Sequence, residues 1–465
     1  MPTQSQITTT RKLISTCEVI IVSVLLPRHF DPFAFGTIPF MDFKHGRRVF
    51  PWILTVLWIV SCSPSTSVPA APTTDLAILS VNPTLTPFQP AASLPNPYVE
   101  ASTPQVEPTF TPYPTQYVIS NELPTPIQSG GSEFSSLDIN NPLTGLPVSD
   151  PTLLNRRPIA IKIANSPDYI RPQSSLTLAD VVFEYYIEWG DTRFIAVFYG
   201  NDSSRVGPVR SGRFFDEHVA RMFNAFLVFK FADPREFNYL KESTLNQFLV
   251  VPGAGTVCPP FSDGPYRRES YNNVFFDTTK WAACAAKRGI DNSRQEMRGS
   301  FFSEEVPDYP LGAQKIYSFY SVYNYSYWDY DPATHKYFRY QEANDMINKK
   351  PEAYAPLTDD MTGLPVTADN VVVILVPHIF ANQFNAEDEV YNIDLIDFGN
   401  AFVFRDGKAI PAYWNRTAID QPLLFTDLTG NPIYLRPGRT FHQVMGVTST
   451  YSQDGTDWRF IFTTP

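Results

Sequence analysis

The stretch ADVVFEYYIEWGDTRFIAVFYG, residues 179–200, decides the fold. Two runs rich in β-branched and aromatic residues flank a short Gly-Asp turn, so the stretch reads as two strands with a tight connection. Period-two alternation places Glu184, Tyr186 and Glu188 on one face of the first strand, and Phe183, Tyr185 and Ile187 on the other. Upstream, RPIAIKIANS (157–166) has the same strand composition. Downstream, RFFDEHVARMF (213–223) changes period. Phe215, Val219 and Met222 fall on one helical face, Ser211 is placed to cap it, and Asp216 and Glu217 lie in its first turn. AFLVFKFA (225–232) returns to strand. Strands and helices mix without strict alternation, which argues for α+β over a doubly wound sheet.

Beyond residue 311 the pattern is mainly β. KIYSFYSVYNYSYWDYD (315–331) is aromatic-rich, NVVVILVPHI (370–379) reads as a buried strand, and AFVFRDGKAIPAYWNR (401–416) as two strands around an Asp-Gly turn. PLLFTDLTGNPIYLRPGRTFHQVM (422–445) continues the hairpin pattern, which suggests a compact sheet or barrel-like unit. We therefore expect a two-domain α+β protein, with a mixed α/β N-terminal domain over 137–310 and a mainly β C-terminal domain over 311–465. A small motif recurs through both: NPLTGLPVSDP (141–151), MTGLPV (361–366) and LTGNPI (428–433). The glycine after threonine permits a left-handed residue and the proline enters an extended segment, so each copy reads as a turn feeding a strand.

The first 136 residues carry an address. Lys44, His45, Arg47 and Arg48 precede an apolar run from Val49 to Val60, which fits a signal h-region of about 7 to 15 residues and falls short of a bilayer span. Ile59-Val60-Ser61-Cys62 resembles a bacterial lipobox, in which the thiol is acylated and the chain is cut before the cysteine. Residues 41–61 are thus read as a lipoprotein signal opened by Met41, Cys62 as the lipidation site, and residues 1–40 as a misassigned upstream extension. From 62 to 136 the chain reads as a disordered tether, with fourteen prolines up to residue 126 and no Lys or Arg between Arg48 and Arg156.

A formal net charge of −11 argues against nucleic acid as a partner. With Cys17 upstream of Met41 and Cys62 lipidated, Cys258 and Cys284 remain, either as a disulfide or as two buried thiols. No G-x-S-x-G, H-E-x-x-H, Walker loop or C-x-x-C occurs, and His218, His335, His378 and His442 are scattered, so no catalytic residue, cofactor or metal is assigned. The candidate ligand-binding residues are Glu184, Glu188, Arg193, Arg210 and Arg213. Two carboxylates on one strand face, with Cα atoms roughly 13 Å apart, could act as acid and base, line a polar surface, or sit in salt bridges. In VGPVRSGR (206–213) the helix start and two arginines suit an anion or carboxylate, unless they are tied to Glu184, Glu188 or Asp180.

Several stretches resemble a known family. NPLTGLP, RPIAIKIANSPDYIRPQSSLTLADVVFEYYIEWGDTRFIAVFYG and RVGPVRSGRFF look like the N-terminal domain of the YerB-like putative lipoprotein family, a bacterial domain of unknown function. YDPATHKYFRY, GLPVTADNVVVILV, GNAFVFRDGKAIPAYWNR and LRPGRTFHQVMG look like its C-terminal domain. The resemblance covers about residues 140–450, implies a two-domain α+β fold, agrees with the lipobox and implies no activity. In RRESYNNVFF (267–276), Asn272 stands where the family pattern leads one to expect histidine. The expectation is an extracytoplasmic protein, anchored to the cell membrane by lipid at Cys62, that binds or scaffolds an envelope polymer or protein partner. The alternative is an envelope hydrolase using Glu184 and Glu188.

Overall fold

The computed structural model describes residues 139–465, apart from 254–257, 265–269, 298–299, 345, 347–349 and 382–387. The upstream extension, the signal, the tether and Cys62 lie outside the described residues. The strands of the first half are β1 (Ile159–Ala164), β2 (Val181–Tyr186), β3 (Thr192–Phe198), β4 (Phe226–Val228), β5 (Leu249–Val250), β6 (Phe261–Asp263) and β7 (Val274–Phe276). Then come β8 (Lys315–Phe319), β9 (Tyr325–Asp331), β10 (Lys336–Glu342), β11 (Tyr354–Pro356) and β12 (Thr367–Ala368). The last set is β13 (Asn370–Val376), β14 (His378–Phe380), β15 (Tyr391–Ile393), β16 (Asp397–Arg405), β17 (Lys408–Arg416), β18 (Leu424–Asp427), β19 (Thr440–Gly446), β20 (Thr450–Asp454) and β21 (Asp457–Ile461). The α-helices among the described residues are α1 (Phe215–Met222), α2 (Pro234–Glu242) and α3 (Trp281–Lys287).

A ten-stranded mixed sheet forms the centre, in the order β18-β17-β16-β13-β19-β2-β3-β1-β4-β5. Strands from either side of residue 311 thus share one sheet, and they join where β19 runs parallel to β2 with Thr440 opposite Val181. Of the two forms expected for the later strands, a compact sheet or a barrel-like unit, the barrel does not form: β19 adds to the edge of β2 in an open sheet. A second sheet, β11-β10-β9-β8-β21-β20, covers one face of the first. Trp328 of β9 meets Phe441 of β19 edge-on at 4.8 Å. Helix α1 covers the opposite face, where Phe215 packs on Tyr185 at 4.7 Å and Phe183 at 6.2 Å.

Strands covered on both sides bury every residue, which is why β1, β2, β3 and β13 read as near-continuous apolar runs, and β19, equally buried, carries Thr440, His442 and Gln443 inside. Any charge in them must find a partner inside. Phe215, Val219 and Met222 are buried as the helical spacing requires. Ser211 does not cap α1. The helix begins later, and Asp216 instead accepts the Arg213 amide at 2.8 Å.

The three related turns share one geometry. Gly145, Gly363 and Gly430 have φ of +69°, +70° and +91°, and each turn ends in a bridge to the following proline. Each is headed by an Asx side chain, with Asn141, Asp359 and Asp427 accepting the amide two residues on. The first two also hold the segment before β2: Asn141 donates to Asp180 at 2.9 Å, and Asp359 accepts from the amides of Ser175 and Thr177.

Candidate functional site

The hairpin that opens the sequence argument also builds the site. Alternation ends at Tyr186, and Glu188 immediately precedes a two-residue turn in which Trp189 and Gly190 have φ of +57° and +85°, the signature of a type I′ connection. The turn carries Glu188 around to the α1 side, whereas Glu184 points to the second sheet. The two carboxylates therefore lie on opposite faces and do not share a cleft. Glu184 is 1 % exposed and ion-pairs with Arg339 of β10 at 2.8 Å, while also accepting from Asn165 and Thr192. Among the described residues Asp180 makes no ion pair; it accepts the amides of Tyr199 and Gly200.

Two arginines converge on Glu188, and a third, Arg210, lies nearby. Arg213 makes a two-pronged contact, its Nε at 2.9 Å, and Arg193 approaches to 3.9 Å. Burial alone would raise the Glu188 carboxyl, but Arg213 and Arg193 outweigh it and hold the group below its usual range. Arg193 spends a donor on the Ser211 carbonyl at 3.1 Å, and burial lowers its guanidinium to about 9, with Arg213 adding to the effect. Arg210 makes no ion pair among the described residues. Its Nε is buried without a partner, its guanidinium lies 5.0 Å from the ring of half-exposed Tyr271, and the group is partly open to solvent. Burial lowers its pKa, and the nearby Arg213 lowers it further.

Behind this rim is a buried layer that sequence reading missed. Lys162 of β1 is fully buried, donates to Asp216 at 3.0 Å and also to the Tyr185 hydroxyl. Tyr185 in turn donates to the same Asp216 oxygen at 2.5 Å. Burial pushes the Lys162 ammonium down to about 7 against the pull of Asp216. Glu236 of α2, also fully buried, stands 3.4 Å from Arg213 with no hydrogen bond on either oxygen, and burial drives its carboxyl up to about 7. The available signal was the lone lysine in IAIKIA, a charge with nowhere to go but inward. The arrangement can hold a negatively charged group at the solvent edge of Arg210 over a neutralised interior.

The remaining assignments resolve individually. Cys258 and Cys284 are joined in a disulfide with Cα atoms 5.6 Å apart. Asn272 is buried and donates to the Tyr169 hydroxyl at 2.8 Å. His218, His378 and His442 are buried in separate places, and His335 lies 3.3 Å from Asp406. Among the described residues no three His, Cys, Asp or Glu side chains come together as a metal site.

Residues 143–291 match the family model described as the N-terminal domain of a protein of unknown function (DUF3048), and residues 316–441 match its C-terminal domain. Over 280 residues the chain is 28% identical to "Putative lipoprotein YerB" of Bacillus subtilis (strain 168), which spans 59% of this chain and 77% of that one. The chain belongs to the YerB-like family. A crystal structure of the Bacillus subtilis YerB protein matches with a TM-score of 0.55 at 23% identity, over 66% of this chain and 96% of that one, a likeness of fold. Both YerB-like domains thus contribute to the central sheet, and the arginine site lies wholly within the first. Among the described residues no helix is long and apolar enough to cross a membrane.

Proposed function

We propose that the protein is anchored outside the cytoplasm by lipid at Cys62, and that it works by binding an anionic group of an envelope polymer or protein partner at Arg193, Arg210 and Arg213. The observation that carries the reading is Arg210, a fork-shaped cation at the surface that makes no ion pair among the described residues, backed by two further arginines that share Glu188. Planar guanidinium groups recognise carboxylate and phosphate through paired hydrogen bonds. The flanking aromatic ring of Tyr271 could stack on a sugar or a side chain next to that anion. Similarity to a lipoprotein supports the anchor.

Two experiments test the two parts. Lipid labelling and intact mass of the wild type beside Cys62→Ser should show an acylated chain starting at Cys62 that disappears in the variant; an unlabelled wild type would remove the anchor. Binding of a poly(glycerol phosphate) and of an acidic peptide should weaken about tenfold or more in Arg210→Ala, the order expected for loss of one charge-assisted contact. Unchanged affinity for both in a folded variant would remove the arginine site.

A further inference from the structure

Five polar groups between the two sheets form a cluster with an unusual chemistry. The second sheet turns Ser318 of β8, Ser326 and Trp328 of β9 and Arg339 of β10 inward, and the first turns Gln443 of β19 toward them; all are at most 1 % exposed. Ser318 stands opposite Ser326 and Trp328 opposite Arg339, so four of the side chains share one patch about 10 Å across. Gln443 pairs in register with Glu184, whose carboxylate takes Arg339 Nη2 at 2.8 Å, which brings the amide to the same place. Among the described residues, Ser318 Oγ, Ser326 Oγ, Trp328 Nε1, Arg339 Nη1 and Gln443 Nε2 each lack a hydrogen-bond partner. The other guanidinium nitrogens of Arg339 are engaged by Gln341 and Glu184. Buried polar groups are nearly always satisfied, so five such groups on one patch require a common explanation.

Their chemistry is one-sided. Trp328, Arg339 and Gln443 offer N–H groups that cannot accept, and only the two hydroxyls do both. A water accepting from two of these N–H groups must still place its own two hydrogens on the hydroxyls, whereas a monatomic anion only accepts. Arg339 supplies the positive charge. Glu184, its counter-ion, is also bonded to Asn165 at 3.0 Å and Thr192 at 2.9 Å, which disperses the negative charge that would repel an anion. The rings of Phe194 and Phe441 wall the patch, with Arg339 5.2 Å from the first and Trp328 4.8 Å from the second.

We propose that this patch is a buried binding site for a monovalent anion of halide size, chloride in the envelope, that ties the second sheet to the first. It lies on the opposite face of the central sheet from the arginine site and does not depend on it. The test melts the full chain at constant ionic strength while chloride replaces gluconate. A saturable rise of roughly 2 to 5 °C is expected, kept in Arg210→Ala and lost in Ser326→Ala and Trp328→Phe. Crystals grown in bromide should show an anomalous peak among Ser326, Trp328 and Arg339. Melting indifferent to chloride, with no bromide peak there, would overturn the proposal and leave these donors to ordered water. A bromide peak without chloride-dependent melting would mean an adventitious ion only, and overturns it equally. Should both variants fail to fold, the wild-type titration and the bromide map decide.

Discussion

Lys162 survives in the middle of an apolar strand because Asp216 and Tyr185 meet it there. Removing one member of a buried pair leaves the other charge uncompensated, which typically costs about 3–5 kcal/mol, whereas replacing both by apolar or neutral groups costs far less. Asp216→Ala should therefore lower stability by about that amount in urea melts, and Lys162→Met with Asp216→Asn should recover much of it. If the double variant is as unstable as the single, the pair is not the reason. Glu236 offers a test with a pH signature. Its folded pKa of about 7 lies above the unfolded 4.5, so its burial favours the native state at low pH, and this contribution is lost as pH rises through 7. Glu236→Gln removes the ionised form and should raise the melting temperature at pH 8 while leaving it near the wild type at pH 5.

Among the elements, the repeated turns separate conformation from surroundings. Gly145 and Gly363 occupy the same left-handed position at φ +69° and +70°, yet a methyl added at Gly145 would lie 2.7 Å from the Phe302 ring, and one at Gly363 would meet nothing within 4 Å. The left-handed conformation costs a non-glycine residue about 1–2 kcal/mol. Gly363→Ala should lose about that much in thermal melts, and Gly145→Ala more, because Phe302 must also move. Equal losses would mean that Phe302 yields freely. The type I′ turn at Trp189-Gly190 sets the β2–β3 register and, with it, the face on which Glu188 lies.

At the scale of the whole molecule, three buried histidines are expected to set the response to acid. Burial lowers His218 to about 3, His378 to about 4 and His442 to about 3, in the first case reinforced by Arg416. Between pH 6.5 and those values the unfolded chain binds protons that the folded chain does not, so stability present above pH 6.5 is lost as pH falls. Glu236 and Asp180, raised by burial to about 7 and about 6, oppose this and cancel part of it. The net expectation is a loss of about 1 to 2 kcal/mol per pH unit between pH 6 and 4.5, read from urea melts across that range. Stability flat in pH would exclude it. The Cys258–Cys284 disulfide closes a loop 26 residues apart in sequence and should contribute about 3 kcal/mol, visible as a lower melting temperature in Cys258→Ser with Cys284→Ser.

Local signals in the sequence determined the local structure. The hairpin at 179–200, the helix at 215–222 with its apolar face, the Asp406-Gly407 connection and the three Asx-headed turns each follow from neighbouring residues, because strand pairing across a tight turn and helical periodicity are short-range. The family was legible for the same reason, since its motifs are the turns and strands themselves. What only the tertiary structure decided is which faces meet. Period two held to Tyr186 and then gave way to the turn, so Glu184 and Glu188 parted; Glu184 found Arg339, distant by 155 residues, and Lys162 found Asp216, distant by 54. Those partners are chosen by the second sheet packing on the first and by α1 packing on the opposite face, and long-range burial leaves no periodicity in a single chain from which to read them.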